Sequence, residues 1–329
     1  MSKKKKIVIW SLIVVFSLLL IGSLGAYIYL HSMLNLINRD TDSHPVVNPE
    51  DEFFDEDDGD GEVMNPEDII WPDDETDVFR DKDVINILLI GQDRRPGEGR
   101  ARSDSMMIAT INKKNRSIKI TSIMRDLYVQ IPGYSDNRIN TAYAFGGMKL
   151  LNEVIEKNFH VHIDGNIEVD FEGFVKGIDT IGGVTINLTE KEAEHLRKKG
   201  YDKAKAGECH MDGALALEYS RIRKIGNDFG RTERQRKVIL AAVAKVKDSG
   251  LNNIIALANK VLPCVTTDMT NDQLINLVFT AFSSDLNNIQ QYRIPTDGSY
   301  KDAKIRGMLV LVPDLIKVRQ DLKDIIYGE

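Results

Sequence analysis

Cysteine is almost missing from this chain: Cys209 and Cys264 are the only two. Neither sits in a Cys-x-x-Cys context, which removes a zinc ribbon or a dithiol redox centre from consideration. They stand 55 residues apart. One disulfide between them would suit an oxidising compartment, although spacing alone does not bring them together. Histidine is scarce too, with six in 329 residues. His160 and His162 would share a strand face, yet no further ligand accompanies them, so a zinc site has no support. There is no internal repeat. The acidic stretch "DEDDGDGEV" has glycine but lacks the full spacing and closing glutamate of a calcium-binding loop.

Basic residues are missing from one long segment. Residues 40–83 hold 19 Asp and Glu against Arg80 and Lys82, a net charge of −17, whereas residues 1–39 carry +5 and residues 84–329 carry +5. The overall charge of −7 therefore belongs to one segment. That segment includes "NPEDEFFDEDDGDGEVMNPEDIIWPDDETD", with three of the nine prolines and no sustained apolar period. Such a composition buries too little surface to offset ordering entropy, and the expectation is a disordered, self-repelling tether.

Charge is also missing from Ile7 to Leu30, a run of 24 residues preceded by four lysines. The run is long enough to cross a hydrocarbon layer of about 30 Å. The lysines put its N-terminal end in the cytoplasm. A cleaved signal peptide is the alternative, but its apolar core spans only about 7–15 residues. The expected organisation is a cytoplasmic tail over 1–6, a transmembrane anchor over 7–30, an acidic linker over 31–83 and an extracellular domain over 84–329.

Within that domain, "VINILLIG" (84–91) is a continuous apolar run of the kind found in strands buried on both faces. "SMMIATIN" (105–112) and "SIKITSIM" (117–124) alternate and are joined by "KKNR", which predicts an antiparallel hairpin. Helical patterns fit 147–159, 171–180, 189–198, 211–220, 231–249, 250–261, 271–283 and 305–323, with a short strand over 183–188. Strands and helices mixed in this way predict a single layered α/β domain, a central mixed sheet flanked by helices.

Polar residues fall at the strand ends. Asp93 follows the first strand, Asp104 precedes the second, and Arg125-Asp126 follow the third. If strands one and three run parallel, all three positions share one edge of the sheet, where open α/β sheets bind ligands. The helix beginning near Asp228 and Gly230 carries Val238, Ala242 and Val246 as its apolar stripe. At about 100° per residue, Arg231 and Gln235 fall on that same inward stripe, while Arg234, Arg236 and Lys237 point elsewhere. Arg94, Arg100, Arg234 and Arg236 read as solvated surface. A buried Arg231 needs an anion, because an unpaired buried cation is very costly. Asp228 could supply it, but several arginines converging on few carboxylates suggest a bound ligand. Arginine forks suit phosphate oxygens, and a helix N-terminus adds donors. Aspartates beside a phosphate site call for a divalent cation, which Mg²⁺ satisfies with one or two carboxylates.

In order along the chain, "NILLIGQD", "RSDSMMI", "SIMRDLYVQIPGY", "RINTAYAFGG", "VDFEGFVKGIDTIGGV", "MDGALALEYSRIR" and "DFGRTERQRK" are all present. With these stretches, spanning about residues 84–240, the chain resembles the LytR–CpsA–Psr family of extracytoplasmic ligases. The resemblance implies a type II membrane protein, from a Gram-positive source, that moves a glycopolymer from a polyprenyl pyrophosphate to a peptidoglycan hydroxyl. It implies Asp93 and Asp104 as holders of Mg²⁺ or Mn²⁺. Arg125, Arg221, Arg223, Arg231 and Gln235 match the pyrophosphate-binding set, and Arg95, Arg102, Arg138 and Asn140 match further motif positions. For the chemistry itself, Arg125, Asp126 and Asp228 are the candidates, with the base open between the two aspartates. Arg138 stands where relatives often have lysine, and Met124 replaces a common proline.

The carrier's tail needs an apolar groove, for which Phe171, Phe174, Val175 and Ile178 are candidates. A polyprenyl-pyrophosphate hydrolase would use the same site with water. A non-enzymatic wall-polymer-binding module would instead spread its arginines over a surface. A nucleic-acid binder is a poor fit beyond a membrane anchor.

Overall fold

The computed structural model describes residues 24–25, 27–40, 47–54, 56–72, 77–92, 102–223 and 225–328. A first helix, α1, covers 27–34 and leads into β1 (Asn38–Arg39). Three long strands follow: β2 (Val84–Gln92), β3 (Ser103–Asn112) and β4 (Ser117–Ile123). The short pair β5 (Tyr128–Val129) and β6 (Asn137–Arg138) precedes α2 (Ile139–Phe159). Next come β7 (Gly165–Asp170), α3 (Phe171–Thr180), β8 (Val184–Leu188), α4 (Glu190–Lys198), β9 (Gly207–Met211) and α5 (Gly213–Ser220). The long α6 (Asn227–Lys247), α7 (Leu251–Val261), β10 (Val265–Thr267) and α8 (Asn271–Phe282) follow. The described chain closes with β11 (Ile289–Ile294), β12 (Tyr300–Ile305), β13 (Met308–Pro313) and α9 (Leu315–Tyr327).

Seven strands form one mixed sheet in the order β1-β10-β7-β2-β3-β4-β11. β3 is antiparallel to both β2 and β4, so β2 and β4 run the same way, as the site argument required. Gln92 pairs with Ser103 and Met106 with Ile123. The end of β2, the start of β3 and the end of β4 therefore lie along one edge. β2 is buried on both sides, which explains its apolar run; the one polar residue within it, Asn86, is buried and accepts from the Thr110 hydroxyl at 2.8 Å. Leu88 and Ile90 pack with α2 and α9, while Ile85, Ile87 and Leu89 face the cluster that contains Leu274 of α8.

Several expectations change. Residues 305–323 are not one helix. Arg306 and Gly307 both have positive φ, 48° and 80°, and turn the chain into the hairpin β12–β13; such a two-residue turn matches the strands' twist. α9 begins only after Pro313. α2 starts at Ile139 rather than 147, with non-helical geometry at Gly146 and Gly147 where two helices meet. His160 caps that helix in the left-handed region and shares no strand with His162. Cys209 and Cys264 are both free, so the disulfide does not form.

The tether expectation over 31–83 also fails for the residues described there. β1 pairs with β10. Asp57 pairs with Arg138, and its carboxylate accepts from Leu309 N–H at 2.8 Å. Lys304 Nζ donates to the carbonyls of Asp57 and Gly59, each at 3.0 Å. Glu52 accepts from Ser135, and Trp71 Nε1 donates to Asp136 at 2.8 Å while stacking near Tyr128. The carboxylates that looked self-repelling find cations and backbone donors on the domain. Among the described residues no helix is long and apolar enough to cross a membrane. Residues 7–23 of the predicted anchor lie outside the described residues.

Candidate active site

The strand edge and the first turns of α6 gather the polar side chains. Asp104 is the second residue of β3, and Arg125 and Asp126 follow β4 after the single residue Met124. Gly226, with φ 80°, turns the chain into α6, which places Asp228 in its first turn and Arg231 one turn later. Arg125 is the hub. Its NH1 donates to Asp104 Oδ1 at 2.9 Å, its Nε lies 3.4 Å from Asp126 Oδ1, and its NH2 lies 3.5 Å from Asp228 Oδ2. Arg223 adds a weaker contact to Asp104 at 3.8 Å.

Arg231 and Gln235 do point inward. Together with Ile239 they form an i, i+4, i+8 stripe of α6 that faces a cavity of about 470 Å³. Leu89, Met107, Ile167 and Val169 of the sheet and Phe171 and Phe174 of α3 supply its apolar walls. Its polar lining includes Asp104, Arg221, Arg223, Arg231 and Gln235. Arg231 is only 3 % exposed, and its Nε and NH1 lack hydrogen-bond partners. The nearest carboxylate contact is Asp228 Oδ1 at 3.5 Å. Burial and repulsion from Arg125 push the Arg231 pKa down to about 10, with Asp228 offsetting only part. Two buried donors without acceptors are costly in a folded protein.

A second cavity, of about 430 Å³, opens beside Asp126 and Asp228, which do not line the first. Met124, Phe229 and Leu311 form part of its wall, and Asp60 and Gly61 of the acidic segment contribute another part. Asp126 and Asp228 share a hydrogen bond. Burial, then that bond, raise Asp126 to about 6 despite Arg125. Burial also works to raise Asp228, but the bond from Asp126 and the charges of Arg231, Arg125 and Arg223 hold it below the ordinary carboxylate value. Burial alone would lower Arg125, yet Asp126, Asp228 and Asp104 outweigh it and keep its pKa above normal.

Other predicted residues are placed less centrally. Asp93 and Arg95, like Arg94 and Arg100, lie outside the described residues. Arg102 sits over the Phe53 ring, near enough to Arg138, Asp104 and Arg125 to feel their charges. Arg138 donates to the Leu309 carbonyl and pairs with Asp57, and its Nε is 3.8 Å from Asp126. It lines neither cavity. Asn140 is buried, with Oδ1 unpartnered and its N–H weakly bonded to the Arg125 carbonyl at 3.4 Å. Arg221 stacks over Phe171 at 4.8 Å in the mouth of the first cavity. Phe171 and Phe174 line that cavity as expected, whereas Val175 is not in its wall and Ile178 belongs to a separate core.

Two arginines read as surface are buried. Arg234 Nε donates to Glu192 at 2.7 Å, and its other nitrogens donate to the Ile222 and Ile225 carbonyls. It thereby braces the loop that carries Arg221 and Arg223. Arg236 NH1 donates to Ser122 Oγ at 2.7 Å. Helical angle misses both because their partners come from α4, the 222–225 loop and β4. The same limit hides Ser105, whose hydroxyl donates to Gln235 Oε1 at 3.2 Å.

Among the described residues no group of three or more His, Cys, Asp or Glu could hold a metal. Asp104 nonetheless brings a carboxylate to the cavity. One or two carboxylates with a substrate phosphate suffice for Mg²⁺; Asp104 is one such carboxylate at the cavity, and Asp93 lies outside the described residues.

Fold and site together define an α/β protein with an apolar-walled cavity into which the buried Arg231 and the half-buried Gln235 face. The chain belongs to the LytR–CpsA–Psr family, matching the LytR_cpsA_psr family over residues 55–323. It is 38% identical over 228 residues, 68% of this chain and 73% of the relative, to the polyisoprenyl-teichoic acid–peptidoglycan teichoic acid transferase TagU of Bacillus mycoides. A TagU of Bacillus cereus is 33% identical over 303 residues, covering 90% and 89%. Among solved structures, B. subtilis TagT aligns with a TM-score of 0.61 at 25% identity, covering 75% of this chain and 92% of that one. B. subtilis TagV aligns at 0.58 and 28% identity, covering 76% and 100%.

Proposed function

We propose that this protein is a polyprenyl-linked glycopolymer transferase that moves the polymer, as its phosphate ester, to a sugar hydroxyl of peptidoglycan. The relatives' activity as teichoic acid transferases supports the reaction class. The observation that carries it is Arg231, buried at an apolar cavity with two unpartnered donors. A lipid-borne pyrophosphate answers both halves of that wall.

In this reading the pyrophosphate lies against Arg125, Arg221, Arg223, Arg231 and Gln235, with Arg102 and Asn140 near its edge. The polyprenyl tail follows Leu89, Met107, Ile167, Val169 and Phe174. The acceptor hydroxyl enters through the second cavity, where Asp126 and Asp228 face it. Its oxygen bonds to the phosphorus that carries the polymer, the bond from that phosphorus to the bridging oxygen breaks, and polyprenyl phosphate leaves. Asp126, ionised, takes the hydroxyl proton and, once protonated, donates it in a hydrogen bond to Asp228. The arginines stabilise charge on the phosphoryl oxygens, since phosphoryl transfer asks chiefly for positioning and electrostatics. Mg²⁺ at Asp93 and Asp104 would neutralise part of the pyrophosphate charge. The apolar run Ile7–Leu30 would anchor the chain with the domain outside the cell.

The test supplies full-length protein in detergent with a polyprenyl-pyrophosphate oligosaccharide, a divalent cation and a peptidoglycan oligomer, and follows transfer by mass spectrometry. Transfer lost in Arg231→Ala and Asp104→Ala is the expected result. Release of free oligosaccharide without transfer would make the protein a hydrolase. Binding without turnover, unchanged in the variants, would leave only a wall-polymer-binding module.

A further inference from the structure

Twelve large apolar side chains are exposed among the described residues, and eight of them fall in one neighbourhood. Leu24, Tyr27, Ile28 and Tyr29 lie on or just before α1, Leu36 just after it, and Val278, Phe279 and Phe282 on α8. Phe279 keeps 62 % of its surface exposed and Phe282 50 %. With Val278 they fall at i, i+1 and i+4, a patch on the outward side of α8, while Ile275 and Leu274 of the same helix pack against the core. Such a patch belongs on the inside of a soluble protein. Asp272 is the only ionisable residue in the twelve of α8, and it lies in the first turn.

The two helices are joined rather than merely near. Tyr27 OH donates to Asp272 Oδ1 at 3.2 Å, His31 Nε2 lies 3.2 Å from the same oxygen, and Asn271 Nδ2 donates to Asn35 Oδ1 at 2.8 Å. Leu34 and Ile37 pack with Met269 and Leu274. By sequence, α1 begins inside the apolar run Ile7–Leu30, so α8 is seated where that run meets the domain. Leu89, Ile167 and Val169 belong both to the cluster under α1 and α8 and to the wall of the first cavity. The exposed patch of α8, residues 27–30 at the end of that run and the first cavity thus share one side of the sheet.

We infer that the outward face of α8, with Val278, Phe279 and Phe282, lies in the interfacial layer of the membrane. It would hold the domain at a fixed tilt, with the apolar walls of the first cavity turned toward the lipid. Tyr27 and Tyr29 on α1 suit that layer by their amphipathic rings, and phenylalanine suits the apolar face of a helix lying in it. This rests on the reading that Ile7–Leu30 anchors the chain, and the experiment separates the two.

Trp10 and Trp71 are the only tryptophans. Trp10 lies in the apolar run, and Trp71 packs beside Tyr128 on the far side of the domain. Full-length protein is reconstituted in phosphatidylcholine vesicles, with and without brominated acyl chains, and tryptophan emission is compared. Trp10 reports on the anchor. In a Trp10→Phe chain, Phe279→Trp and Phe282→Trp report on α8, and Ile316→Trp, exposed on α9, serves as the control. Quenching at 279 and 282 but not at 316 is expected, and it would stand whether or not Trp10 is quenched. Quenching of Trp10 without quenching at 279 and 282 would overturn the inference and leave the anchor. Loss of quenching at every position would overturn both. Unquenched emission at 279 that shifts with protein concentration would assign the face to a second copy of the chain, which also overturns it.

Discussion

Arg231 reaches back one turn along its own helix to within 3.5 Å of Asp228, and its Nε and NH1 form no hydrogen bond there. The contact is an ion pair without the fork geometry that makes arginine–carboxylate pairs strong. Asp228 alone leaves two of the Arg231 donors unsatisfied.

Arg231→Leu should therefore separate ligand binding from folding. Each charge-assisted contact is worth about 1.5–3 kcal/mol, so donor affinity should fall by roughly ten- to a hundredfold. The unliganded protein should melt no lower than wild type, because a poorly satisfied buried cation has been removed. Thermal melts with and without inorganic pyrophosphate check both halves. A large drop in the unliganded melting temperature would make Arg231 a structural residue.

Asp126 should set the acid limb of the pH profile. With its pKa at about 6, a base at this position is inactivated as pH falls below that value, by about tenfold per unit. Transfer rates measured from pH 4.5 to 8 should rise and then level off. A profile flat through pH 6 would remove Asp126 from the proton transfer.

The same residue should weaken the fold when charged. A folded-state pKa above the unfolded value means that the contribution to stability is full below the unfolded pKa and lost as pH rises through about 6. Asp126→Asn should abolish transfer yet raise the melting temperature at pH 7, with the gain shrinking toward pH 4. Melts at the two pH values test the sign.

Arg234 belongs to the fold. Removing one partner of a buried ion pair costs about 3–5 kcal/mol, and Glu192 would lose its cation while the Ile222 and Ile225 carbonyls lose their donor. Urea unfolding of Arg234→Ala should show that loss with an unchanged slope.

Ile239→Trp should narrow the apolar part of the first cavity. Turnover of a long-chain polyprenyl donor should fall, while a short-chain donor with the same pyrophosphate should be spared. Equal loss with both donors would place the tail elsewhere.

What could be read from sequence follows from how locally each feature is determined. The inward aim of Arg231 and Gln235 depends on one helix's angle, and it is correct. The shared strand edge follows from hairpin geometry, and it too is correct. Arg234 and Arg236 were misread because burial depends on Glu192 and Ser122, which lie 42 and 114 residues away. The hairpin over Tyr300–Pro313 was hidden because its apolar residues also suit a helix, and the turn at Arg306-Gly307 is the only local sign against one. The acidic segment was misjudged from composition, since charge repulsion says nothing about Arg138 and Lys304 waiting on the domain. The second cavity was invisible for the same reason: no stretch of sequence contains it.

Asp60 and Gly61 matter to anyone who trims this protein for the bench. A soluble fragment cut at Val84, the natural choice from hydropathy, would discard part of one wall of the second cavity together with the partners of Arg138 and Lys304. Such a fragment could still grip its lipid donor and yet fail to transfer. Its silence would report on where the scissors fell, and a start before Val47 is the cut that keeps both chambers whole.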